Sequence, residues 1–479
     1  MSTNLIVSPA DISRRRQAHA RLGYYLAILL PTLAYLIIGH VRWATTHSGQ
    51  SAEWHVTTVL LQAVLLLPCS YGALMVAGML AFGPPRDRRP APDWRWDPET
   101  TLIVAYVSRG QNVEALRRAS TETQTLLDLL GVRYTLETVT DVEVSAENRL
   151  AATSGEVFYY TVPDDYQTAR QARFKARALQ YLLEQRTARL AGRDDAENMW
   201  VLHLDEESIV TIECLQGIAD HLARYDLRQT PGAIGQGEIL YNSGRYGQYP
   251  LIEAVDAMRT GDDLGRFRLQ FQWWHRPVFG MHGSFILTPA RLEREVTWDV
   301  GGYGSLTEDA YFALVAMERG IRFDWVEGFI REQSPFSLAD LIQQRRRWFC
   351  GLAHIARDPS LKWSTTLALK FSLFLWQFSW LGWIAGAVYL ARSLTGETTD
   401  CPYGLMLLTT LCGGFFGAAY VVGAYRNVLH APISTARKIG NVVFSFVTWL
   451  LLLQPMLEGA AVLYAVTRPV QHFYVVSKD

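Results

Sequence analysis

The chain has 479 residues, which leaves room for more than one structural unit. Its formal net charge is −1, so no global electrostatic field favours nucleic acid as a partner. The five Cys residues form no CxxC pair, so we expect neither a disulfide framework nor a zinc site. Hydrophobic residues make up 49% of the chain, but they are unevenly spread, and that distribution decides the class of protein.

Five apolar runs are long enough for membrane-spanning helices, which need about 20 mostly apolar residues. They are Leu22–Val41, Val56–Phe82, Thr365–Leu390, Tyr403–Tyr425 and Val442–Val466. The first run is too long for a signal peptide and is followed at once by a second. The last run holds Gln454, Pro455 and Glu458 near its middle. We therefore expect four spans and a re-entrant or interfacial helix, with a fifth span as the alternative.

Basic residues predict the orientation of these helices. Arg residues precede the first run at 14, 15, 16 and 21 and follow the second at 86, 88, 89 and 95, whereas the loop between the two runs has only Arg42. The positive-inside rule therefore places the N-terminus and the large central region in the cytosol. The predicted organisation is a tail (1–21), two spans (22–82), a globular region (83–336), an interface helix (337–362), two spans (363–425), a loop with the re-entrant or interfacial helix (426–468) and a cytosolic C-terminal segment (469–479).

The central region alternates strand-like and helix-like stretches. The strand-like stretches are Thr101–Val107, Arg133–Val139 and Trp200–Leu204, and the helix-like stretches are Val113–Leu130 and Tyr166–Leu190. This alternation predicts an α/β domain with a largely parallel sheet, inserted between the transmembrane α-helices of a polytopic membrane protein. Ligands bind beyond the carboxyl ends of the strands in such sheets, so functional side chains are expected there.

Polar side chains follow each of the three predicted strands. They are Ser108, Arg109, Asp141, Asp205, Glu206 and Glu207. Asp205 and Glu207 stand at alternate positions of one loop, so both carboxylates can face a single hard cation. The sequence therefore predicts a Mg²⁺ or Mn²⁺ site that diphosphate oxygens complete. Acids are also favoured at a helix N-terminus, and the two explanations are compatible.

A second acidic pair, Glu308 and Asp309, follows Thr307 and precedes a helix with apolar spacing. Thr307 is a candidate N-cap, with the acids in the first turn of the helix. The functional alternative is that one of the carboxylates points into a site and acts as a general base.

The segment Ser337–Ala356 has helical spacing and begins with a sequence that resembles a capping box. Gln344, Arg347 and Trp348 lie at i, i+3 and i+4, so they share one face of this helix. A basic amphipathic helix on anionic lipid would explain the Arg residues, but not Gln344 or the choice of Trp. An indole ring can form a platform for a sugar, and Arg can bind a diphosphate in bidentate fashion.

These motifs, in this order, resemble those of the processive-type family-2 membrane glycosyltransferases, which include cellulose, hyaluronan and mannan synthases. The stretches HLDEES (203–208), TEDAYFAL (307–314) and QQRRRWFCG (343–351) resemble the animal Egghead branch, and this closer resemblance covers nearly all of residues 100–355. Egghead enzymes are β-1,4-mannosyltransferases. The resemblance implies a GT-A (Rossmann-like) fold, a divalent metal, GDP-mannose as donor and a lipid-linked glucosyl acceptor such as glucosylceramide.

The resemblance also implies a role for each motif residue. Asp309 would be the catalytic base, and Asp205 and Glu207 would hold the metal. The donor would contact Ser108, Arg109, Asp141, Glu206, Arg347 and Lys478, and the acceptor would contact Gln344, Trp348, Glu308 and His282. Lys478 belongs to a C-terminal segment that is similar to the donor-site gate of cellulose synthases.

The small number of spans favours transfer of a single mannose to a membrane lipid over polymer export. The alternative within the enzyme class is a processive β-glycan synthase that uses a UDP-sugar. A transporter would need ionisable residues in its spans and internal repeats, and the runs are apolar apart from Glu458. A lipid-anchored nucleotide sensor would not need Asp309. We expect an integral membrane protein, in the cytoplasmic membrane if bacterial, with its catalytic domain in the cytosol and membrane lipids as partners.

Overall fold

The computed structural model describes residues 9–46, 56–91, 94–145, 149, 152–193, 196–395, 402–470, 474, 476 and 478. The first eight residues, the loop between the third and fourth predicted spans and most of the C-terminal segment lie outside this set. The chain begins with two long helices, α1 (Pro9–Thr46) and α2 (Val56–Phe82). Within the described residues, three helices are long and apolar enough to cross a membrane, or up to five if each of two bent pairs is one span.

The central region contains one eight-stranded sheet. Its strands are β1 (Thr101–Ser108), β2 (Tyr134–Thr140), β3 (Glu156–Thr161), β4 (Met199–Asp205), β5 (Ile209–Val210), β6 (Ile234–Leu240), β7 (Ile286–Pro289) and β8 (Phe323–Arg331). Their order is β3-β2-β1-β4-β7-β6-β8-β5. The strands β3, β2, β1 and β4 are parallel, as expected, but β7 is antiparallel to both of its neighbours.

The prediction of a largely parallel sheet is therefore wrong for the second half, where the sheet is mixed. Parallel neighbours need a crossover connection that packs on the sheet. The helices of this region are α3 (Val113–Leu129), α4 (Phe174–Leu190), α5 (Ile212–Leu222), α6 (Pro250–Asp262), α7 (Ala290–Val296), α8 (Gly301–Gly304) and α9 (Glu308–Glu318). The connection from β6 to β7 runs through α6, which packs against a C-terminal helix instead of crossing over the sheet.

Side chains of β1 alternate between the two faces of the sheet. Leu102 and Val104 belong to the apolar cluster that contains α3 and α5 residues, whereas Ile103 and Ala105 belong to the cluster that contains α4 residues. A strand covered on both faces needs a continuous apolar sequence, because successive side chains point to opposite sides. This is why the run at 101–107 is apolar throughout.

The predicted helix Tyr166–Leu190 is wrong in its first eight residues, because α4 begins at Phe174. The segment before it is held by a distant carboxylate: Asp299 accepts hydrogen bonds from the Thr168 hydroxyl at 2.6 Å and from the Arg170 backbone N–H at 2.8 Å. Tertiary hydrogen bonds thus replace the first turns of the expected helix.

Among the described residues after β8 there are six helices: α10 (Leu338–Ile355), α11 (Trp363–Gln377), α12 (Ser379–Leu394), α13 (Tyr403–His430), α14 (Thr435–Leu450) and α15 (Leu453–Thr467). The helix α10 starts as predicted, since the Ser337 hydroxyl accepts a hydrogen bond from the Asp340 N–H at 3.0 Å. The helices α14 and α15 meet at a bend of 64°, next to the Gln454 and Pro455 that made the last run unusual. Its re-entrant or interfacial placement stays a prediction.

The helices α6 and α13 touch through glycine. A Cβ atom at Gly261 would lie 2.1 Å from the carbonyl oxygen of Ala419, and one at Gly423 would lie 1.8 Å from that of Ala257. Small residues at such a four-residue spacing allow two helix backbones to approach closely. The α/β region is therefore packed directly onto the candidate membrane helices.

Candidate active site

A cavity of about 780 Å³ lies between the carboxyl ends of the strands and the candidate membrane helices. All thirteen residues to which the sequence assigned a role line it: Ser108, Arg109, Asp141, Asp205, Glu206, Glu207, His282, Glu308, Asp309, Gln344, Arg347, Trp348 and Lys478. The structure thus brings the predicted site together, while the chemical role of each residue stays a prediction.

The register of the parallel strands explains why the loop residues meet. Val107 in β1 pairs with Asp205 in β4, and Ser108 pairs with Thr140 in β2. Asp141 follows Thr140 directly, so the three loops leave the same edge of the sheet. Asp141 lies near two guanidinium groups, 3.6 Å from Arg109 and 3.5 Å from Arg177.

Two lysines pair with the acids of this edge. The Lys175 ammonium lies 2.5 Å from Asp205 and 3.3 Å from Glu308, and it donates a hydrogen bond to the carbonyl of Gly283 at 3.0 Å. Burial disfavours its charged form, but Asp205 and Glu308 outweigh burial and raise the pKa of Lys175 above its usual range.

The second lysine comes from the far end of the chain. The Lys478 ammonium lies 2.7 Å from Glu207 and donates a hydrogen bond to the carbonyl of Gln333 at 2.6 Å. The backbone N–H of Lys478 donates to the Asn112 side chain at 3.2 Å. The C-terminal residue that the sequence assigned to the donor side therefore contacts one of the predicted metal ligands.

Asp205 and Glu207 fit a divalent cation only with further ligands. Within the described part of the chain, no group of three or more His, Cys, Asp and Glu side chains is arranged to hold an ion. Burial, and then the charges of Glu207 and Asp205, raises the pKa of the neighbouring Glu332 to about 7. A cation would offset this excess of negative charge, with diphosphate and water oxygens completing its coordination, as is usual for Mg²⁺.

Glu206 lies between the two predicted metal ligands in sequence, and its partners are polar groups at the end of β1 and just beyond it. Its carboxylate accepts hydrogen bonds from the Ser108 hydroxyl and from the Asn112 side-chain amide. Burial, reinforced by the charge of Glu207, raises the pKa of Glu206 to about 7. Glu206 therefore links the ends of β1 and β4 through polar contacts.

Asp309 lies in the first turn of α9, beside Glu308. Burial and the adjacent charge of Glu308 raise the pKa of Asp309 to about 7, and the opposing charge of Lys175 limits the rise. A carboxylate with this pKa can accept a proton near neutral pH, which suits a general base. Thr307 occupies the N-cap position, but its hydroxyl makes no capping hydrogen bond, so the predicted side-chain cap is wrong.

The face of α10 that carries Gln344, Arg347 and Trp348 lines the cavity as predicted. Arg347 donates a hydrogen bond to the carbonyl of Leu306 at 3.3 Å. The guanidinium groups of Arg345 and Arg259 lie over the Trp348 ring, 4.6 and 4.7 Å from its centroid. The indole is thus held in place by cation–π contacts.

His282 lies on the cavity wall next to α6. Its Nε2 atom is 2.5 Å from the Asp263 carboxylate, and its ring stacks on Phe267 with centroids 4.2 Å apart. These contacts fix the orientation of the imidazole, which is what a residue that binds an acceptor needs.

Four cavity or near-cavity residues were not predicted: Asn112, Lys175, Arg259 and Glu332. Only five of the 45 basic residues are Lys, so the isolated Lys175 was a usable signal. Glu332 follows β8 directly, so the rule about strand ends would have found it once β8 was recognised.

The cavity has two parts. The acidic limb is lined by Asp205, Glu206, Glu207, Glu308, Asp309 and Glu332. The helical limb continues between α1, α2 and α11 to α14, and its aromatic lining is Tyr35, Tyr71, Trp376, Trp383, Phe416, Tyr420 and Trp449. A single space therefore joins titratable groups to apolar helices.

The sequence is similar to known proteins over most of its length. Residues 200–457 match the model described as Glycosyl transferase family group 2. The β-1,4-mannosyltransferase bre-3 of Caenorhabditis elegans is 30% identical over 441 residues, 89% of each chain. The protein of the same name from Caenorhabditis briggsae is 32% identical over 66% of each chain, and the β-1,4-mannosyltransferase egh of Drosophila melanogaster is 29% identical over 79% of this chain and 78% of its own.

Solved structures are more distant. The mannosyltransferase PcManGT from Pyrobaculum calidifontis, in complex with GDP-Man and Mn²⁺, is 14% identical with a TM-score of 0.39, over 78% of this chain and 99% of its own. The family match and the mixed sheet described above define a GT-A-like fold.

Proposed function

This chain belongs to glycosyltransferase family 2 and, within it, to the Egghead-like β-1,4-mannosyltransferases, and we propose from that membership that it transfers one mannose from GDP-mannose to a lipid-linked glucosyl acceptor. The linkage formed would be β-1,4, and the acceptor would be a glycolipid similar to glucosylceramide. The main support for a lipid-linked acceptor is the cavity, which runs from the acidic limb into the helical limb.

The shape of the cavity supports an acceptor that is anchored in lipid. A hydrocarbon chain has a lower free energy in apolar surroundings than in water, so it would occupy the helical limb. The sugar at its end would then reach the acidic limb, where Asp309 lies. A soluble sugar acceptor would have no need of the aromatic lining between the helices.

The chemistry we propose is a single in-line displacement. The 4-hydroxyl oxygen of the acceptor glucose attacks C1 of mannose, the bond from C1 to the GDP oxygen breaks, and Asp309 takes the hydroxyl proton. One displacement inverts the anomeric centre, so an α-linked donor gives a β-linked product. Asp309 suits this role because its pKa of about 7 lets it accept a proton under neutral conditions.

Asp205 and Glu207 would hold Mg²⁺ or Mn²⁺, which supplies positive charge that stabilises the diphosphate leaving group. The other donor contacts are assigned to Ser108, Arg109, Asp141, Glu206, Arg347 and Lys478. Gln344, Trp348, Glu308 and His282 are assigned to the acceptor.

A donor panel tests this function directly. The purified full-length protein in nanodiscs would receive GDP-mannose, GDP-glucose, UDP-glucose or UDP-N-acetylglucosamine, each with glucosylceramide or glucosyl diacylglycerol. Of the four donors, we expect only GDP-mannose to add one hexose to the acceptor, as detected by mass spectrometry. Activity should be lost in EDTA and recovered when Mn²⁺ or Mg²⁺ is added. Transfer from a UDP-sugar but not from GDP-mannose would reject the proposal.

Membership of the Egghead-like glycosyltransferases and the distribution of Arg residues support an integral membrane protein with its catalytic domain in the cytosol. Four spans and a bent helix pair α14–α15 that does not cross would leave the C-terminus in the cytosol. The native Cys401 lies in the loop that this arrangement places outside, so the test uses a Cys401→Ser background. A Cys added after Asp479 in that background should resist a membrane-impermeant maleimide in intact cells. Labelling from outside would reject the four-span arrangement.

A processive β-glycan synthase that uses a UDP-sugar is the second candidate. Indole rings can stack on sugars, and Trp376, Trp383 and Trp449 line the helical limb. The length of the product separates the candidates: one added hexose supports the mannosyltransferase, whereas a ladder of masses supports the synthase.

A further inference from the structure

Glu458 is an acidic residue in the otherwise apolar helix α15, and its side chain lies on the cavity wall. The side chain is 14% exposed, and its Oε1 atom accepts a hydrogen bond from Nε of Arg345 at 2.8 Å. A charged side chain in an apolar helix is costly, so the position calls for a physical reason. None of the roles assigned above uses it.

The partner of Glu458 is itself held rigidly. Arg345 donates to Asp256 at 2.8 Å and to the Gln344 side chain at 2.8 Å, in addition to its bond to Glu458. The same guanidinium lies over the ring of Trp348. Glu458 is therefore fixed beside two residues that we assign to the acceptor, Gln344 and Trp348.

Helix anchoring alone does not account for this carboxylate. Buried ion pairs contribute little net stability, and well-packed apolar residues often replace them without loss. Among the described residues, only one of the two carboxylate oxygens of Glu458 has a hydrogen-bond partner, Arg345. The second oxygen is available to a ligand in the cavity, and a carboxylate is an acceptor that sugar hydroxyls recognise.

We propose that Glu458 binds hydroxyl groups of the acceptor sugar. The inference rests on the proposed function and deepens it: the acceptor sugar would lie between Trp348 and the bend of α14–α15, with a hydroxyl other than the reacting one donating to the free oxygen of Glu458. Charge-assisted hydrogen bonds are stronger than neutral ones, so this contact would favour a polyhydroxylated headgroup.

The experiment compares Glu458→Gln with the wild type in nanodiscs, using GDP-mannose and glucosylceramide. We expect the acceptor KM to rise about 10- to 100-fold, because the hydrogen bond from the sugar hydroxyl loses its charged acceptor. The donor KM should stay within about twofold, since the donor contacts lie in the acidic limb. Glu253→Gln is the matched control, because Glu253 is a buried carboxylate that does not line this cavity.

Deoxy acceptors give a readout that a structural role would not move. Wild-type enzyme should discriminate strongly against one of the 2-, 3- or 6-deoxyglucosyl ceramides, and Glu458→Gln should lose that discrimination. Equal discrimination in both proteins, or equal increases in donor and acceptor KM, would overturn the inference.

Two further measurements keep the test decisive. If Glu458→Gln does not fold, Glu458→Asp keeps the charge beside Arg345 and should still raise the acceptor KM; an unchanged KM in that variant contradicts the inference. If the wild type transfers no mannose at all, the proposed function fails. The change in Trp fluorescence when glucosylceramide binds then tests Glu458 separately. Equal binding by wild type and variant would reject the role of Glu458.

Discussion

Two groups of acids in this fold, one inside the α/β core and one in the acidic limb of the cavity, pair with different cations. In the core, Arg186 bridges Glu137 at 2.8 Å and Glu293 at 2.5 Å, and all three side chains are at most 2% exposed. On the wall, Lys175 pairs with Asp205 and Glu308.

The difference between these regions lies in how firmly each cation is fixed. A guanidinium is a planar fork that matches carboxylates in fixed geometry, whereas an ammonium is a compact charge on a flexible stem. Only five basic residues are Lys, and two of them, Lys175 and Lys478, contact the acidic limb. The core cluster is thus fixed in its pairing, whereas under the proposed function the wall cluster would exchange its lysine partners for a metal ion or substrate.

The largest expected effect comes from Asp309→Asn, which removes the proposed base but no cation. Transfer should fall by about 10²- to 10⁴-fold, the usual contribution of general base catalysis. GDP-mannose binding, measured by calorimetry, should stay close to that of the wild type. Turnover at the wild-type rate would show that Asp309 is not the base, and the cavity-wall carboxylates would then lose their proposed catalytic role.

Arg186→Met tests the core cluster. Without Arg186, Glu137 and Glu293 would be left buried without the charge that bridges them, and we expect a loss of about 3–5 kcal/mol in the free energy of unfolding. Thermal unfolding in detergent measures this loss. The same substitution at Lys175 should change stability less, because Asp205, the nearer of its two partners, is 35% exposed. An equal loss at both positions would contradict the contrast between the regions.

Lowering the pH should affect the two regions differently. The raised pKa of Asp309, about 7, means that the base becomes protonated below neutrality, so kcat/KM should fall about tenfold per pH unit between pH 7 and 5. In the core, Arg186 and His203 outweigh burial and hold the pKa of Glu293 at about 2. The stabilisation due to ionised Glu293 is fully present above its unfolded pKa of about 4.5 and is lost progressively as the pH falls from there through about 2.

The melting temperature should therefore not fall over the window in which activity falls, because Glu206 and Glu332, whose pKa values are raised to about 7, take up protons more readily in the folded state than in the unfolded state. Circular dichroism and rate measurements on the same sample check both halves of this prediction. Unfolding that accompanies the loss of activity would assign the pH dependence to the fold and not to Asp309.

The smallest effect is a shift in the pH profile of Lys175→Met. Lys175 lowers the pKa of Asp309. Removal of Lys175 should therefore shift the midpoint at which kcat/KM falls on acidification to higher pH, by about one pH unit. Lys362→Met is the control, because Lys362 is exposed and does not line the cavity. An unshifted midpoint would mean that Lys175 does not influence the base.

Local sequence signals were enough to predict the features that depend on local physics. The apolar run of β1, the capping by Ser337 and the shared face of Gln344, Arg347 and Trp348 follow from residue spacing alone. The acids at strand ends were also found, because parallel strands bring their carboxyl ends to one edge.

Features that depend on tertiary packing were not found. The delayed start of α4 is due to Asp299, which lies more than a hundred residues away in sequence. Arg259 reaches Trp348 only because α6 leaves the sheet for α13, a path that its amphipathic pattern does not specify. The antiparallel β7 has the same origin.

The glycine contacts between α6 and α13 have a consequence for how the molecule can be divided. A fragment cut at residues 83 and 336 would remove α13 and expose the surface of α6 where Gly261 meets Ala419. Such a fragment should aggregate in water. Grafting the candidate membrane helices of a distant relative onto this α/β region should fail unless α6 is exchanged with them. The facing surfaces of α6 and α13 would then have to evolve together, although about 140 residues separate the two helices in the chain.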